Sequence, residues 1–142
     1  MRLTLDTNIL ISSLLQKNTP PYLLYNAWRN GDYDLVTSHA QLEEIRRVVA
    51  YPKLAKYIKA DEAAIVISGL ATYALIATDL PIIKDSPDPD DNLIIATAVS
   101  GNCDYIVTGD KADLLVLEKV RTINIITART AVEVVIPQDS ST

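Results

Sequence analysis

The sequence predicts an α/β fold, with three α/β/α layers in which helices cover both faces of a mostly parallel sheet. Short apolar segments of strand character alternate with longer segments whose apolar residues recur at helical spacing. The connections between them are short, which is typical of strand–helix–strand units with parallel strands. The 142 residues suffice for one packed core, so we expect a single domain over residues 1–136 and a polar tail at 137–142.

Four strands are predicted from alternating polarity and from β-branched and aromatic content. Ligands of parallel α/β sheets bind at the carboxyl ends of the strands, so the residues that follow each strand are the first place to look for a site. Ile82 and Ile83, inside a proline-rich loop, are expected to form one more short extended piece. The four strands span Arg2–Leu5, Tyr33–Thr37, Tyr105–Thr108 and Ile123–Ile126.

Helices are predicted where apolar side chains recur every three or four residues behind a cap or a proline. The first includes Leu10, and Pro20 begins the second. Ser38 and Gln41 have the spacing of a capping box for a third helix, which Pro52 stops. Further helices are predicted at Lys53–Ile58, from Asp61 to about Ala77, from Asp90 or Asp91 to Ser100, at Lys111–Glu118 and at Thr127–Val135.

Composition excludes several kinds of site. The chain has one cysteine, Cys103, and one histidine, His39, which argues against a zinc site and excludes an internal disulfide. No apolar run approaches the roughly 18–20 residues that span a bilayer, and no signal peptide is apparent, so we expect a soluble cytoplasmic protein without a membrane partner. The net charge of −5 opposes bulk attraction of nucleic acid, although acids that bind a metal ion would be neutralised by it.

Four acidic residues lie at predicted boundaries between elements. Asp6 and Asp110 follow strands, whereas Glu44 and Asp91 lie near the starts of helices, so one rim of the sheet could collect all four. Carboxylates so close to one another all remain ionised only when a cation binds between them. Mg²⁺ and Mn²⁺ are suitable cations because they prefer oxygen ligands. The pattern therefore predicts a metal-dependent enzyme that acts on phosphates.

Each acid taken alone has a simpler explanation. Asp6 and Asp91 could be helix N-caps, Glu44 could lie on a solvated helix face, and Asp110 could be a turn residue. Glu43 is adjacent to Glu44 but leaves the helix about 100° away from it, so only one of the two can face a common site. The case for a shared site therefore depends on the four acids occurring together and in order.

The four acids stand in four short motifs. They are Leu5-Asp6-Thr7-Asn8, Leu42-x-Glu44-Ile45, Asp88-Pro89-Asp90-Asp91-Asn92 and Val107-Thr108-Gly109-Asp110. These motifs resemble those of the PIN domain family, in the same order and over nearly the whole chain. The resemblance is closest to bacterial and archaeal PIN proteins described as toxin components of toxin–antitoxin pairs. It implies a metal-dependent ribonuclease that cuts single-stranded RNA, forms a homodimer and is restrained by a partner antitoxin.

The resemblance also implies roles for individual residues, with Mg²⁺ or Mn²⁺ as the cofactor. Asn8 and Thr108 match polar positions that support the site. Relatives often carry a second acid soon after the Thr-Gly-Asp motif, but here the spacing to Asp113 is one residue longer, which leaves the role of Asp113 open. The metal ligands and catalytic residues implied by the resemblance are Asp6, Glu44, Asp91 and Asp110.

A basic segment follows Glu44 and could track an RNA backbone towards the acids. An ordinary solvated surface explains these charges equally well. Tyr51 and Tyr57 are interleaved with them and could stack on bases or pack in the core. The candidate RNA contacts are Arg46, Arg47 and Lys53, with Lys56 and Lys59 beyond them.

Three rival functions stay open. One is a catalytically inactive PIN-like module that binds RNA or protein without cutting. The second is a metal-dependent phosphatase on a similar sheet, although phosphatases with an aspartyl nucleophile commonly place a second acid two residues later, where this chain has Asn8. The third is a regulatory domain whose acidic pocket only senses metal.

Overall fold

Strands and helices alternate along the chain in the computed structural model, which describes residues 1–109 and 113–136. The predicted tail at 137–142 lies outside the described residues, as does Asp110. The strands are β1 (Arg2–Leu5), β2 (Asp34–Thr37), β3 (Leu75–Ile76), β4 (Tyr105–Thr108), β5 (Lys119–Val120) and β6 (Ile123–Thr127). The helices are α1 (Thr7–Leu15), α2 (Pro20–Arg29), α3 (His39–Val49), α4 (Pro52–Ala55), α5 (Ala60–Tyr73), α6 (Pro89–Ser100), α7 (Asp113–Val116) and α8 (Ala128–Val135).

The strands form one sheet in the order β3-β2-β1-β4-β6-β5. All neighbours are parallel except β5, which runs antiparallel to β6. The predicted three-layer α/β/α fold with a mostly parallel sheet is therefore confirmed. We call the rim where β1, β2, β4 and β6 end the carboxyl edge, and the rim where these strands begin the amino edge.

Two apolar cores lie on opposite faces of the sheet, because successive strand residues point to opposite sides. On β4, Val107 belongs to the core that also contains side chains of α1, α2, α3, α5 and α8. Its neighbour Ile106 belongs to the second core, together with side chains of α6 and α7. Both residues are fully buried, which explains why this strand is apolar almost throughout.

The end of one helix was predicted wrongly, and the two strands at the borders of the sheet were not predicted. The helix expected to reach Ala77 ends at Tyr73, and Leu75–Ile76 pairs with β2 at the border of the sheet. The Lys119–Val120 strand at the other border was not predicted, because two residues are too few to show a periodic pattern. Ile82 and Ile83 lie in a loop and form no strand.

Further differences concern helix bounds and caps. The short helix predicted at Lys53–Ile58 is observed at Pro52–Ala55. Asp88, rather than Asp90 or Asp91, caps α6, and its side chain accepts a hydrogen bond from the Asp90 N–H at 2.9 Å. Lys59, rather than Asp61, occupies the N-cap position of α5. The predicted Ser38 cap of α3 is present, since its hydroxyl accepts from the Gln41 N–H at 3.3 Å.

None of the helices in residues 1–109 and 113–136 combines the length and the apolar content needed to cross a lipid bilayer.

Candidate functional site

The carboxyl edge of the sheet brings Asp6, Glu44 and Asp91 together. Asp6 directly follows β1, and its N–H continues the ladder by donating to the Val107 carbonyl at 2.8 Å. Helix α3 follows β2 and helix α6 precedes β4, so both run back against the strand direction and have their first turns at this edge. Glu44 in the second turn of α3 and Asp91 in the first turn of α6 are placed there for that reason.

A threonine hydroxyl orients the carboxylate of Asp6 at the start of α1. Asp6 occupies the N-cap position of α1, but its side chain makes no cap hydrogen bond. The buried Thr108 hydroxyl instead donates to Asp6 Oδ2 at 2.9 Å. Burial raises the pKa of Asp6 above its ordinary value, and the charge of Asp88 adds to this rise. The Thr108 bond and the backbone N–H groups that follow Asp6 act in the opposite direction, so they favour the charged form.

Glu44 is partly buried, whereas its neighbour Glu43 is exposed. Burial raises the pKa of Glu44, and the negative charges of Asp90 and Asp6 raise it further. The Thr7 hydroxyl and the Arg47 guanidinium lower it. Glu44 therefore lies close enough to Asp90 and Asp6 for their charges to act on it.

Asp91 is oriented by a small loop that precedes α6. The Ser86 hydroxyl donates to Asp91 Oδ2 at 2.9 Å. Ser86 is itself held by Asn92, whose Oδ1 accepts the Ser86 N–H at 2.9 Å and whose Nδ2 donates to the Ser86 carbonyl at 2.8 Å. Burial is the main cause that raises the pKa of Asp91, and the charges of Asp88, Asp6 and Asp113 raise it further.

For all three carboxylates the charged form is disfavoured by the surroundings. The pKa of each is raised by burial and by at least one other acid, so keeping all of them ionised costs free energy unless a cation is present. Their oxygens are the donors that Mg²⁺ and Mn²⁺ prefer, so the chemistry of the donor set fits a divalent ion. Among residues 1–109 and 113–136, no three acidic, histidine or cysteine side chains converge into a ready-made metal cluster.

The Gln41 side chain connects the ends of β1 and β2, and the sequence-based interpretation missed this role. The side chain is fully buried and accepts a hydrogen bond from the Thr37 hydroxyl at 2.6 Å. Its amide donates to the Leu5 carbonyl at 2.7 Å, and it lies 3.4 Å from the Thr7 hydroxyl. Gln41 thus bonds to the ends of β1 and β2 beside Asp6, instead of reaching back to its own helix start as a capping box would require.

A signal for Gln41 was available in the sequence. The residue lies on the same face of α3 as Leu42 and Ile45, and an amide on an apolar helix face must find partners inside the protein. Ser86 and Thr7 carry no comparable signal, because short hydroxyl side chains in loops and first turns are common for many reasons.

The other predicted residues lie around this centre. Asn8 is exposed in the first turn of α1, and Asp113 is exposed at the start of α7. The basic residues Arg46, Arg47 and Lys53 are all exposed. The functional roles of these residues, of Thr108 and of Asp110 stay predictions.

Comparison with protein families gives a result that agrees with this geometry. A family model described as a PIN domain matches residues 2–112, which include Asp6, Glu44, Asp91 and Asp110. No curated protein matches the chain. PIN domains are generally nucleases, and those nucleases usually use divalent metals. Since the match covers most of the chain and contains the carboxyl-edge acids, the protein belongs to the PIN domain family.

Proposed function

We propose that the protein is a divalent-metal-dependent endoribonuclease that hydrolyses phosphodiester bonds of single-stranded RNA. The observation that carries this proposal is the set of partly buried carboxylates at the carboxyl edge, where acids face acids. Clusters of perturbed acids are more typical of functional sites than of structural ones. Membership of a family of nucleases supports hydrolysis of a phosphodiester as the reaction.

The proposed ligands of Mg²⁺ or Mn²⁺ are Asp6, Glu44, Asp91 and Asp110. When bound, the ion would activate a water molecule and neutralise charge on the phosphate. Thr108 and Ser86 each bond one oxygen of a carboxylate and so hold Asp6 and Asp91 in fixed orientations. Because Asp6 follows directly from β1, its position is held by the sheet itself.

The remaining assignments concern the surroundings of the carboxylates. Asn8 is exposed beside Asp6 and is proposed to support the site from the solvent side. Asp113 adds negative charge near Asp91, which makes it a candidate for a further outer ligand. Arg46, Arg47 and Lys53 are proposed to contact the RNA backbone.

We also propose that the protein is the toxin of a toxin–antitoxin pair, with a separate antitoxin chain as its partner. The motif order that resembles such toxins supports this role. The direct test is growth of cells that express the chain, compared with cells that express Asp6→Asn. Growth arrest that requires Asp6 is expected, and unaffected growth would count against a toxin.

A homodimer is proposed through the outer face of α5. The inner face of α5 packs in the core, but its outer face is also apolar, with Ile65 67% exposed and Tyr73 64% exposed. Burial of this outer face against a second copy would remove apolar surface from water. Asp61 and Glu62 begin α5, while Arg29 packs 4.4 Å from the Tyr73 ring at its end. Antiparallel pairing of two copies would therefore bring opposite charges together. Light scattering is expected to give twice the chain mass for the wild-type protein.

Cleavage of a mixed pool of single-stranded RNA tests the proposed nuclease. We expect cutting with Mn²⁺ or Mg²⁺, none in chelator, and none by Asp6→Asn with either metal. Circular dichroism of the variant is the control for folding. A folded wild-type protein that cuts no RNA with any metal would favour the alternative, a PIN-like module that binds without cutting.

A further inference from the structure

The chain from Arg46 to Lys59, which we call the basic segment, concentrates positive charge on an acidic protein. It contains five basic residues and no acidic residue, although the whole chain has 13 basic and 18 acidic residues. Such a segment attracts polyanions, but charge alone does not distinguish a binding surface from a solvated one. The exposed basic residues are Arg46, Arg47, Lys53, Lys56 and Lys59.

Two exposed tyrosines make the basic segment unlike an ordinary solvated surface. Tyr57 is 68% exposed and Tyr51 is 46% exposed, so neither packs in the core. Buried Ile58 and partly buried Leu54 anchor the segment inward and leave the two rings outside. Lys56 Nζ lies 5.5 Å from the centre of the Tyr57 ring. Aromatic rings interleaved with cations are the usual platform for single-stranded nucleic acid.

The basic segment begins beside the carboxylates. Arg47 follows Glu44 by three residues on α3, which places it about 60° round the helix and about 4.5 Å along the axis. The positive charge of Arg47 lowers the pKa of Glu44, as this proximity requires. Arg46 leaves the same helix about 160° away from Glu44 and thus nearly on the opposite face.

We infer that the basic segment is the track along which a single-stranded nucleic acid reaches the carboxylates. Tyr51 and Tyr57 stack on bases, while Arg47, Lys53 and Lys56 contact phosphates. A single strand fits better than a duplex, because the faces of paired bases are not open to a stacking side chain. The inference rests on the proposed function only for the choice of RNA as the ligand, since the binding itself requires no cleavage.

Binding measured in chelator tests the tyrosines without interference from cleavage. The full chain is titrated into a short fluorescein-labelled single-stranded RNA of mixed sequence, and anisotropy reports affinity. Tyr57→Leu is expected to weaken binding about five- to 150-fold, whereas Tyr57→Phe keeps the ring and stays close to wild type. A duplex of the same sequence should bind weakly and respond to neither change. Equal affinity of wild type and Tyr57→Leu for the single strand would overturn the stacking role.

An arginine at the amino edge provides a matched test of where the track lies. Arg47→Gln should reduce the slope of log affinity against log salt concentration by about 0.7, the value for one phosphate contact on a single strand. Arg121→Gln removes the same charge at an exposed position just before β6, at the opposite edge of the sheet, and should leave the slope unchanged. Equal slopes for the two variants would contradict a track that starts at Arg47.

The same variants separate this inference from the proposed nuclease. RNA binding that depends on Tyr57 and Arg47, without any cleavage in Mn²⁺ or Mg²⁺, would refute the nuclease and retain the track. Cleavage with unchanged RNA affinity in both variants would refute the track and retain the nuclease. Binding of acidic peptides or anionic vesicles through these residues, with RNA unaffected, would assign the surface to another partner and overturn the inference.

Discussion

The two edges of the sheet differ in how charged groups are paired. At the amino edge the backbone N–H of Arg2 donates to Asp104 Oδ2 at 2.8 Å, and Arg2 Nη1 donates to the Gly101 carbonyl at 3.0 Å. At the carboxyl edge burial raises the pKa of Asp6 and of Asp91, and the charges of further acids raise both pKa values more. Charge and polarity are thus complementary at one edge and in conflict at the other, although the same strands connect them.

This difference distinguishes the Arg2 contacts, which stabilise the fold, from the carboxyl-edge acids, which are proposed to bind a metal ion. Contacts between unlike groups at the amino edge stabilise the chain ends of β1 and β4. Repulsion between neighbouring carboxylates does not stabilise a fold. Such repulsion is typical of sites where a bound ligand neutralises the charges or where the reaction requires them. Substitutions at the two edges should therefore have different consequences, and four predictions test the comparison.

The largest contrast is expected between two aspartates. Asp91→Asn should lower RNA cleavage about a thousandfold or more, because charge stabilisation by a metal site contributes several kcal/mol to the transition state. Asp104→Asn at the amino edge should leave cleavage per folded molecule unchanged. Initial rates in Mn²⁺ with saturating RNA measure both, and a comparable loss in Asp104→Asn would remove the distinction between the edges.

Gln41→Met should destabilise the protein by about 1–3 kcal/mol, because the buried Leu5 carbonyl and Thr37 hydroxyl lose their partner. Chemical denaturation measures this free energy of unfolding. Gln16→Met, at an exposed glutamine, is the control and should be nearly neutral. Cleavage by the folded fraction of Gln41→Met should also fall, since Gln41 bonds the strand end that carries Asp6.

A pair of glycines probes packing at the two edges. A Cβ atom on Gly101 would lie 2.5 Å from Val36 Cγ1, so Gly101→Ala should cost about 1–3 kcal/mol from overpacking. For Gly109 at the carboxyl edge, no described atom lies within 4 Å of such a Cβ. Gly109→Ala should accordingly change the midpoint of urea unfolding little, and an equal loss in both variants would contradict the packing argument.

The smallest expected effect is a gain in stability. The pKa of Asp6 is raised in the folded protein, so protonation favours folding, and this contribution is lost as pH rises through the folded pKa. In chelator at neutral pH, Asp6→Asn should therefore raise the melting temperature by roughly 2–4 °C. The gain should shrink as pH falls through the raised pKa of Asp6 towards the ordinary aspartate value, and it should reverse when Mn²⁺ stabilises the wild type. A lower melting temperature for Asp6→Asn in chelator would show that the charge is not in conflict there.

Much of the architecture was predictable because its signals are local. The strands at Arg2–Leu5 and Tyr105–Thr108 were predicted with their observed bounds, since alternation and β-branched content belong to the segment itself. The Ser38 cap was also predictable, because a cap is a contact between residues three positions apart. The two-residue border strands were not, since two residues show no periodic pattern, and β3 is defined only by its pairing with β2, far away along the chain.

The sequence by itself determined which acids could form a site and which family the chain resembles, because motif order and spacing are properties of one dimension. Only the tertiary structure decided that Asp88 rather than Asp90 or Asp91 caps α6, and that the Ser86 hydroxyl bonds Asp91. It also turned the Gln41 side chain away from its own helix towards β1 and β2. The Gln41 contacts depend on burial and on Leu5, 36 residues away. The choice among the three nearby aspartates depends on the conformation of the loop before α6, which the order of residues does not contain.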